Sequence, residues 1–158
     1  MKIRPYRNSD FNAIVICFNR SVRQLGARYY TPEQIAAWAP ELTDLQAWSH
    51  RLANGGVFVA ETGADLTGFV RVEENGLVDL LYVDPAYVRR GIGRELLQTA
   101  CVWAARRGAG RLWAEVSLAA RPLFEMMGFQ VEAEQTVERR GVLFKNFRMA
   151  RSVDDEQP

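Results

Sequence analysis

The sequence predicts a mixed α/β domain with a mostly antiparallel central sheet and helices on both faces of that sheet. Amphipathic helical patterns fill most of the first third of the chain, and strand-like segments separated by turn residues follow them. One central stretch has the strand–helix–strand order that requires parallel strands, whereas the other strand connections are short enough for hairpins. The predicted order of elements is β-α-α-β-β-β-α-β-α-β-β. We assign residues 1–150 to a single domain, because 158 residues suffice for one substantial core.

Helix-start signals recur in the N-terminal third. Residues 3–6 fit a short first strand, and apolar side chains then recur at helical spacing from residue 11. A helix start favours a short polar side chain that accepts hydrogen bonds from the first amides. The chain offers three such starts, at Ser9 or Asp10, at Thr31 followed by Pro32, and at Thr43. Pro40 ends or kinks the second of these helices.

Strands and turns dominate the remainder of the chain. Three strands are predicted at 57–62, 66–73 and 77–83, with the turn residues Gly63-Ala64-Asp65 and Asn75-Gly76 between them. The later elements are a helix with an apolar face from Ile92 to Ala104, a strand at 111–117, a helix at 119–127, and strands at 130–138 and 142–149. Residues 151–158 are acidic and polar, which predicts a disordered tail.

Composition and charge narrow the classes of function. A formal net charge of +1 gives no indication of a nucleic-acid or membrane surface. No apolar run approaches the roughly 20 residues of a membrane span, and the start MKIRPYRNSD lacks the apolar stretch of a secretory signal. Cys17 and Cys101 match no metal-ligand spacing. We therefore expect a cytoplasmic protein with reduced core thiols and no metal site.

The most informative segment is Leu81–Leu97, LYVDPAYVRRGIGRELL. It indicates a strand, a short loop and two glycines that open an amphipathic helix. Amides at a helix start, close approach at glycine and neighbouring arginines together favour a phosphate site. A dinucleotide-binding fingerprint would need a small residue where Leu96 stands, and a P-loop would need a Gly-Lys-Ser/Thr sequence after the glycines. The segment therefore favours another phosphate-containing ligand.

Two motifs within this order of elements resemble the GCN5-related N-acetyltransferase (GNAT) superfamily over residues 1–150. VDPAYVRRGIG at 83–93 resembles the acetyl-CoA loop of that family, with its pattern Gln/Arg-x-x-Gly-x-Gly/Ala. SLAARPLFEMMGF at 117–129 resembles the second signature, which ends in Tyr-Glu-x-x-Gly-Phe. YYTPEQIAAWAP at 29–40 is similar to a segment of small bacterial acetyltransferases, most of them of unassigned substrate. The resemblance implies the acyl-CoA N-acyltransferase fold and acetyl transfer from acetyl-CoA to an amine, directly within a ternary complex.

The resemblance also assigns residues to the cofactor. It implies a pyrophosphate site at Val88, Arg89, Arg90, Gly91, Ile92, Gly93 and Arg94. It places the pantetheine arm along Leu81, Tyr82, Val83 and Ser117, and the thiol end beside Ala120, Leu123 and Phe124. Val88 stands where the family has Gln or Arg. This change should be tolerated, because the family binds the pyrophosphate mainly through backbone amides. Phe124 stands where a tyrosine often protonates the departing thiol, and this change removes a catalytic group.

Acyl transfer to an amine needs a base, because a lysine-like amine has a pKa near ~10.4 and is protonated at neutral pH. Asp79 is the first candidate, because strand alternation puts its side chain on the same face as Leu81 and Val83. Glu73 and Glu115 come next, as acids on adjoining strands, although Glu115 could equally pair with an arginine near Arg139 or Arg140. The alternative for Asp79 is a solvated or ion-paired strand carboxylate.

The missing tyrosine leaves the proton donor for the thiol open. A coenzyme A thiol resembles a cysteine thiol, with a pKa of about 8.5, so its thiolate is a tolerable leaving group near neutral pH. Tyr82, Tyr30 or water can replace the tyrosine that is lost at Phe124.

Aromatic residues at the second helix form the predicted acceptor site. By resemblance, this helical region covers the acceptor, and a loop cannot easily bury both Tyr29 and Tyr30. Trp38 completes the candidate set, although aromatic residues at helical spacing more often belong to the core. Arg139 and Arg140 are most simply exposed charges of a hairpin, and the alternative is that an acidic group of the acceptor docks there.

The sequence leaves the acceptor open between an amine of a small molecule and an amine of a protein. Two other functions also stay open. Phe124 favours an acyl-CoA-binding regulatory module with little turnover, and an acyltransferase for hydroxyls or for longer acyl chains is the second alternative. An exposed C-terminal hairpin at 130–149 could extend its sheet across a homodimer.

Overall fold

The computed structural model describes residues 1–40 and 43–153. Its elements are β1 (Lys2–Pro5), α1 (Phe11–Leu25), α2 (Pro32–Trp38), α3 (Leu45–Leu52), β2 (Gly56–Thr62), β3 (Asp65–Val72), β4 (Val78–Val83), α4 (Ile92–Arg106), β5 (Arg111–Val116), α5 (Arg121–Met126), β6 (Gln130–Arg139) and β7 (Val142–Ser152). Among the described residues, three α-helices separate β1 from β2, which agrees with the three predicted helix starts and corrects the predicted order, which counts two.

Two antiparallel sheets form the centre of the fold. β1, β2, β3 and β4 make one sheet in that order, and β5, β7 and β6 make the other, with β7 in the middle. Within the described ranges, one isolated parallel bridge joins the sheets, between Leu77 and Trp113. The Trp113 amide also donates to the Gly76 carbonyl at 3.0 Å. β4 and β5 therefore meet near their N-terminal ends and diverge toward their C-terminal ends, and the predicted mixed, mostly antiparallel architecture is confirmed.

Helices cover both faces of the first sheet, as predicted. α4 packs on one face, where Val70 and Leu96 are fully buried. α1 and α3 pack on the other face, where Ile14 and Phe69 are fully buried. Phe69 and Val70 are neighbours in β3, so their opposite orientations follow from the two-residue period of a strand.

A β-bulge interrupts β4 at Asp79. The register between β3 and β4 shifts by one residue between Arg71 and Val72, which leaves Asp79 as the extra residue of β4. A bulge reverses the alternation of side chains, so the Asp79 carboxylate reaches Arg71 and α3 while Leu81 and Val83 pack toward α4. The predicted common face of Asp79, Leu81 and Val83 is therefore wrong.

Two predicted helix caps need correction. Asp10 occupies the N-cap position of α1, as one of the two predicted candidates, but its side chain does not cap the helix, because its carboxylate accepts hydrogen bonds of 2.7 and 2.8 Å from the Arg4 guanidinium. The cap of α3 is Asp44 rather than Thr43, since the Asp44 carboxylate accepts from the Ala47 amide at 3.0 Å.

The C-terminal strand is longer than predicted. β7 reaches Ser152, which lies opposite Arg111 of β5. Pairing with β5 satisfies backbone groups that a free tail would leave to water, so the predicted disorder at 151 and 152 is wrong. Val153 of the predicted tail is also described, and its amide donates to the Gly110 carbonyl at 3.4 Å, whereas 154–158 lie outside the described residues.

Both cysteine side chains are buried in helices, as predicted for core thiols. Cys17 lies in α1 and Cys101 in α4. Burial raises the pKa of the Cys17 thiol to about 12, so this side chain stays protonated at neutral pH. In the part of the chain that is described, no helix combines the length and apolar character needed to cross a bilayer.

Candidate active site

A cavity of about 530 Å³ opens where β4 and β5 diverge. Its walls come from these two strands, the N-terminal helical region and the β6–β7 hairpin. Eight aromatic residues line it, namely Phe18, Tyr30, Trp38, Trp48, Tyr82, Trp113, Phe124 and Phe144. The predicted cofactor residues that line it are Leu81, Tyr82, Ser117, Ala120 and Phe124. Its volume lies in the range of small-molecule sites.

The loop of residues 88–94 offers backbone amides to an anion at the start of α4. Gly91 is the N-cap of α4 and has no side chain to hold the amides that the first helical turn leaves without an intrahelical partner. Arg89 and Gly91 both adopt left-handed backbone conformations, with φ of 64° and 79°. A Cβ atom added at Gly91 would meet nothing within 4 Å, so the space beside the loop is open. This arrangement fits a pyrophosphate group.

Some side chains of the loop at 88–94 are exposed to solvent, and others pack in the core. Arg89, Arg90 and Arg94 are exposed, whereas Ile92 is only 3% exposed and packs in the core. The Arg90 guanidinium lies 5.1 Å from the centroid of the Tyr87 ring. Ile92 can therefore serve an anion only through its backbone, and the three arginines supply positive charge around the amides.

Gly93 allows a close approach between α4 and the ends of β4 and α5. A Cβ atom at Gly93 would lie 3.0 Å from Leu123 Cδ2 and 3.7 Å from Val83 Cγ2. Leu123 and Val83 also pack against the core around α4. The structure thus brings together three residues that are assigned to the cofactor from distant parts of the sequence.

The turn after β5 carries Ser117 and leads into α5. The Ser117 hydroxyl accepts a hydrogen bond from the Ala120 amide at 3.1 Å, which fixes the turn. Phe124 is 3% exposed, and its ring packs edge-on against Phe129 with 5.0 Å between centroids. The position of the missing tyrosine therefore combines core packing with contact to the cavity.

Asp79 is held in an ion-pair network with two arginines. Its carboxylate accepts hydrogen bonds of 2.7 Å from Arg51 Nε and from Arg51 Nη2, and one of 2.8 Å from Arg71 Nη1. Burial alone would raise the pKa of Asp79, but the hydrogen bonds and charges of Arg51 and Arg71 lower it below its usual value. A carboxylate so saturated is a weak proton acceptor, which matches the ion-paired alternative for this residue.

The other two predicted acids differ in their access to the cavity. Glu115 lines the cavity and is exposed, and within the described residues it has neither a hydrogen bond nor an ion pair from its side chain. Glu73 lies outside the cavity lining, and its carboxylate is 3.4 Å from Arg71 Nη1. Glu115 is thus the predicted acid with an accessible, uncommitted carboxylate.

Tyr29 and Tyr30, both predicted to bind the acceptor, differ in burial and in their access to the cavity. Tyr29 is 50% exposed and lies outside the cavity lining, whereas Tyr30 is 7% exposed and lines the cavity. The Tyr30 hydroxyl donates to the Lys145 carbonyl at 3.0 Å and accepts from the Leu118 amide at 2.9 Å. The hydroxyl of Tyr30 is therefore committed to joining β7 and the turn after β5, and its proton is not available for the thiol.

Tyr82 presents the remaining predicted phenol to the cavity. Its ring lies edge-on to Phe18, with 4.9 Å between centroids. Burial raises the pKa of Tyr82, while the Trp38 indole N–H and the charge of Arg139 act in the opposite direction. The Trp38 N–H lies near the phenol without the geometry of a hydrogen bond, and Trp38 Nε1 is buried with no hydrogen-bond partner among the described residues.

Sequence analysis missed two arginines at the site. Arg51 meets Asp79 through packing of α3 on the sheet, which no local pattern indicates, and Arg71 meets Asp79 across the β3–β4 pairing at the bulge. Arg139 and Arg140, interpreted as exposed hairpin charges, are exposed but also line the cavity. Arg139 follows the lining residue Val137 by two positions in β6, one residue beyond the predicted end of that strand at 138.

The sequence model of the acetyltransferase (GNAT) domain matches residues 27–151. The chain belongs to the GNAT family. A curated relative, the uncharacterized N-acetyltransferase YafP of Escherichia coli strain K12, is 37% identical over 150 residues, which are 94% of this chain and 94% of the relative. The predicted family and the predicted class of enzyme, an acetyl-CoA-dependent N-acetyltransferase, are confirmed.

Solved structures of the GNAT fold superimpose on the whole chain. A GCN5-related N-acetyltransferase from Rhodopseudomonas palustris has a TM-score of 0.92 at 30% identity, over 96% of this chain and 94% of that one. The PaiA N-acetyltransferase of Thermoplasma acidophilum, solved with coenzyme A, has a TM-score of 0.78 at 20% identity, over 96% and 98%. YncA of Salmonella typhimurium, a putative acetyltransferase solved with acetyl-CoA, has a TM-score of 0.71 at 23% identity, over 98% and 94%.

Proposed function

We propose that this GNAT enzyme transfers an acetyl group from acetyl-CoA to a primary amine, directly and within a ternary complex. The main support for the proposal is the divergence of β4 from β5, because it opens a gap between the strands for the cofactor. On one side, this gap ends at the backbone amides of the first turn of α4. The cavity of about 530 Å³ gives an acceptor room on the other side. Cys17 and Cys101 are buried in helices, so neither is placed to carry the acetyl group in between.

Backbone groups do most of the cofactor binding in this proposal. The amides from Val88 to Arg94 hold the pyrophosphate, and Arg89, Arg90 and Arg94 supplement them with charge. β4 is an edge strand beyond the Leu77 bridge, so Leu81, Tyr82 and Val83 can hydrogen-bond to the amides of the pantetheine arm. Bound acetyl-CoA supplies an activated acyl group as its thioester. Ser117, Ala120 and Phe124 surround the thiol end.

Glu115 is the base that we propose, acting through a water molecule. An amine nucleophile must lose a proton before it attacks a thioester, since its pKa lies near ~10.4. Glu115 lines the cavity without a partner among the described residues, whereas Asp79 already accepts three hydrogen bonds from arginines. Asp79 then acts as a structural anion that fixes Arg51 and Arg71.

Tyr82 is the proton donor that we propose for the thiolate. Tyr30 is excluded from this role because its hydroxyl donates to the Lys145 carbonyl. Phe124 has no proton to give, and Tyr82 is the phenol that lines the cavity without such a bond in the described part of the chain.

The proposed function is tested by calorimetry with acetyl-CoA and by thiol release with a panel of amines. Wild-type protein is expected to bind acetyl-CoA, and Arg90→Glu is expected to weaken this binding about tenfold or more at low salt, since it reverses a charge beside the pyrophosphate. Arg107→Glu is the matched control, because Arg107 lies at the opposite end of α4 and stacks on Trp103 at 3.9 Å. No heat with acetyl-CoA, or equal losses in both variants, would overturn the assignment of the loop.

A regulatory module that binds acyl-CoA with little turnover is the second candidate, and Phe124 favours it. Binding of acetyl-CoA with no thiol release for any amine would support the module. Release that requires a hydroxyl acceptor or a longer acyl chain would instead indicate the other acyltransferase function.

We propose the cytoplasm as the compartment, since both cysteines are buried side chains in helices.

We also propose a homodimer through β6, an edge strand of ten residues that is exposed along most of its length. Light scattering at micromolar concentration tests the dimer, and a monomeric mass would contradict it.

A further inference from the structure

Glu115 and Arg139 lie toward opposite ends of one concave sheet face. On the middle strand β7, Glu115 is opposite Arg148 and Arg139 is opposite Val142. These two β7 positions are six residues apart, which corresponds to about 20 Å along the strand. Both side chains line the cavity, as does Phe144 between them. The acceptor cavity therefore runs from an acidic end to a basic end.

The basic end carries two arginines on the β6–β7 hairpin. Arg140 is anchored, because its Nη1 donates to the Ala37 carbonyl at 2.7 Å. Arg139 has no hydrogen bond or ion pair from its side chain within the described ranges. The other basic group of the lining, Arg51, is neutralised by Asp79 at 2.7 Å. An uncompensated positive charge is thus confined to the hairpin end of the cavity.

Apolar rings occupy the space between the two ends. Tyr30, Trp38 and Phe144 pack together with centroid distances of 5.4, 5.8 and 6.4 Å. The Trp38 side chain lines the cavity, and its Nε1 atom is buried. The space between the two ends is therefore lined mainly by aromatic rings.

We propose that the acceptor is a small molecule whose amine is separated from an anionic group by an apolar, ring-bearing body, and that Arg139 selects it by binding the anionic group. This inference rests on the proposed function, which places the amine near Glu115 and the thioester. Polyamines and other acceptors with several amines are disfavoured, because their distal cations would meet Arg139 and Arg140.

Three matched amines test the proposal, namely 4-(aminomethyl)benzoate, 4-(aminomethyl)benzamide and 4-methylbenzylamine. They share the ring and the amine and differ in the charge at the far end. Each is titrated into the coenzyme A complex and into the protein alone, with tryptophan fluorescence and calorimetry as readouts, and is then assayed for acetylation. The benzoate is expected to bind about tenfold tighter than the benzamide, as a charge-assisted hydrogen bond to arginine permits.

Variants assign this preference to Arg139. Arg139→Gln is expected to remove the preference for the benzoate and to leave affinity for 4-methylbenzylamine unchanged. Arg111→Gln is the control, because Arg111 lies on β5 outside the cavity lining and pairs with Glu132 at 2.7 Å. Arg111→Gln is expected to keep the wild-type order of affinities.

The outcomes separate this proposal from the proposed function. Equal affinity for the benzoate and the benzamide, or tighter binding of spermidine than of the benzoate, would overturn the anionic acceptor while leaving the acetyltransferase reaction intact. A preference that survives Arg139→Gln would overturn the role of Arg139. Failure to bind acetyl-CoA would overturn the proposed function, and the titrations into the protein alone would still decide the selectivity of the cavity.

Discussion

The Asp79 carboxylate accepts hydrogen bonds from both Arg51 Nε and Arg51 Nη2, each at 2.7 Å. This bidentate pair joins the bulge of β4 to α3 at the wall of the cavity. Arg71 adds a third hydrogen bond at 2.8 Å and also donates to the Arg51 carbonyl at 2.8 Å. Asp79, the first candidate for the base, is therefore held as an ion-paired carboxylate.

Asp79→Asn is expected to lower the free energy of unfolding by about 2 kcal/mol, because Arg71 would stay largely buried after losing the nearer of its two anions. Urea denaturation measures the change. Glu132→Gln is the control, since it breaks an exposed pair with Arg111 and should cost below about 0.5 kcal/mol. Equal losses in the two variants would mean that the Asp79 network adds no stability.

Acid is expected to destabilise the protein through Asp10 and Asp79. Hydrogen bonds from the Arg4 guanidinium lower the pKa of Asp10, and the arginine network lowers that of Asp79. A carboxyl whose folded pKa lies below the unfolded value of about 3.9 stabilises the fold above that pH, and this stabilisation is lost as the pH falls through the folded pKa. Unfolding free energies at about pH 6 and about pH 3 should differ less in Asp10→Asn than in the wild type. The same difference in both proteins would contradict the role of Asp10.

Glu115→Gln is expected to reduce kcat about 10²-fold or more, because the amine would lose its base. Affinity for acetyl-CoA should be unchanged, since Glu115 lies on the acceptor side. Glu134→Gln provides the comparison, as Glu134 pairs with Lys145 at 2.8 Å and lies outside the cavity lining. If Glu115→Gln kept the kcat of the wild type, Glu115 would not be the base.

Gly91→Ala and Gly108→Ala test the phosphate loop as a matched pair. Both glycines have positive φ, 79° and 89°, and a Cβ at either position would meet nothing within 4 Å. Each substitution should cost roughly 1 kcal/mol of stability, because the left-handed conformation disfavours a side chain. Only Gly91→Ala should weaken acetyl-CoA binding in calorimetry, since Gly91 opens α4 while Gly108 follows its end. Equal affinities would indicate that the pyrophosphate binds elsewhere.

Phe124→Tyr is expected to remain active and to bind acetyl-CoA as the wild type does. The new hydroxyl would face the cavity, and general acid catalysis of about 10² to 10⁴-fold bounds any gain in kcat. Phe129→Tyr serves as the control, because Phe129 is buried in the core outside the cavity lining and should lose stability only. Loss of cofactor binding in Phe124→Tyr would show that the thiol site lies elsewhere.

Much of the fold and of the cofactor loop was predictable, because their signals are local. Gly63 and Gly76 have positive φ at predicted turns, and Thr31 caps α2 by accepting from the Gln34 amide at 3.1 Å. Each of these features depends on residues within a few positions of one another. The bulge at Asp79 was not predictable, since the residue pattern of β4 carries no glycine or proline to mark it.

The sequence by itself determined the family, most of the order of elements and the glycine loop that opens α4, because turn residues, periodicity and the two motifs act over short stretches of chain. Tertiary structure alone decided which charged and aromatic groups are available for chemistry. Arg51 reaches Asp79 across 28 residues, and Tyr30 reaches Lys145 across 115 residues, through packing that no local pattern encodes. Those contacts commit one acid and one phenol to structure, and they leave Glu115, Tyr82 and Arg139 facing the cavity.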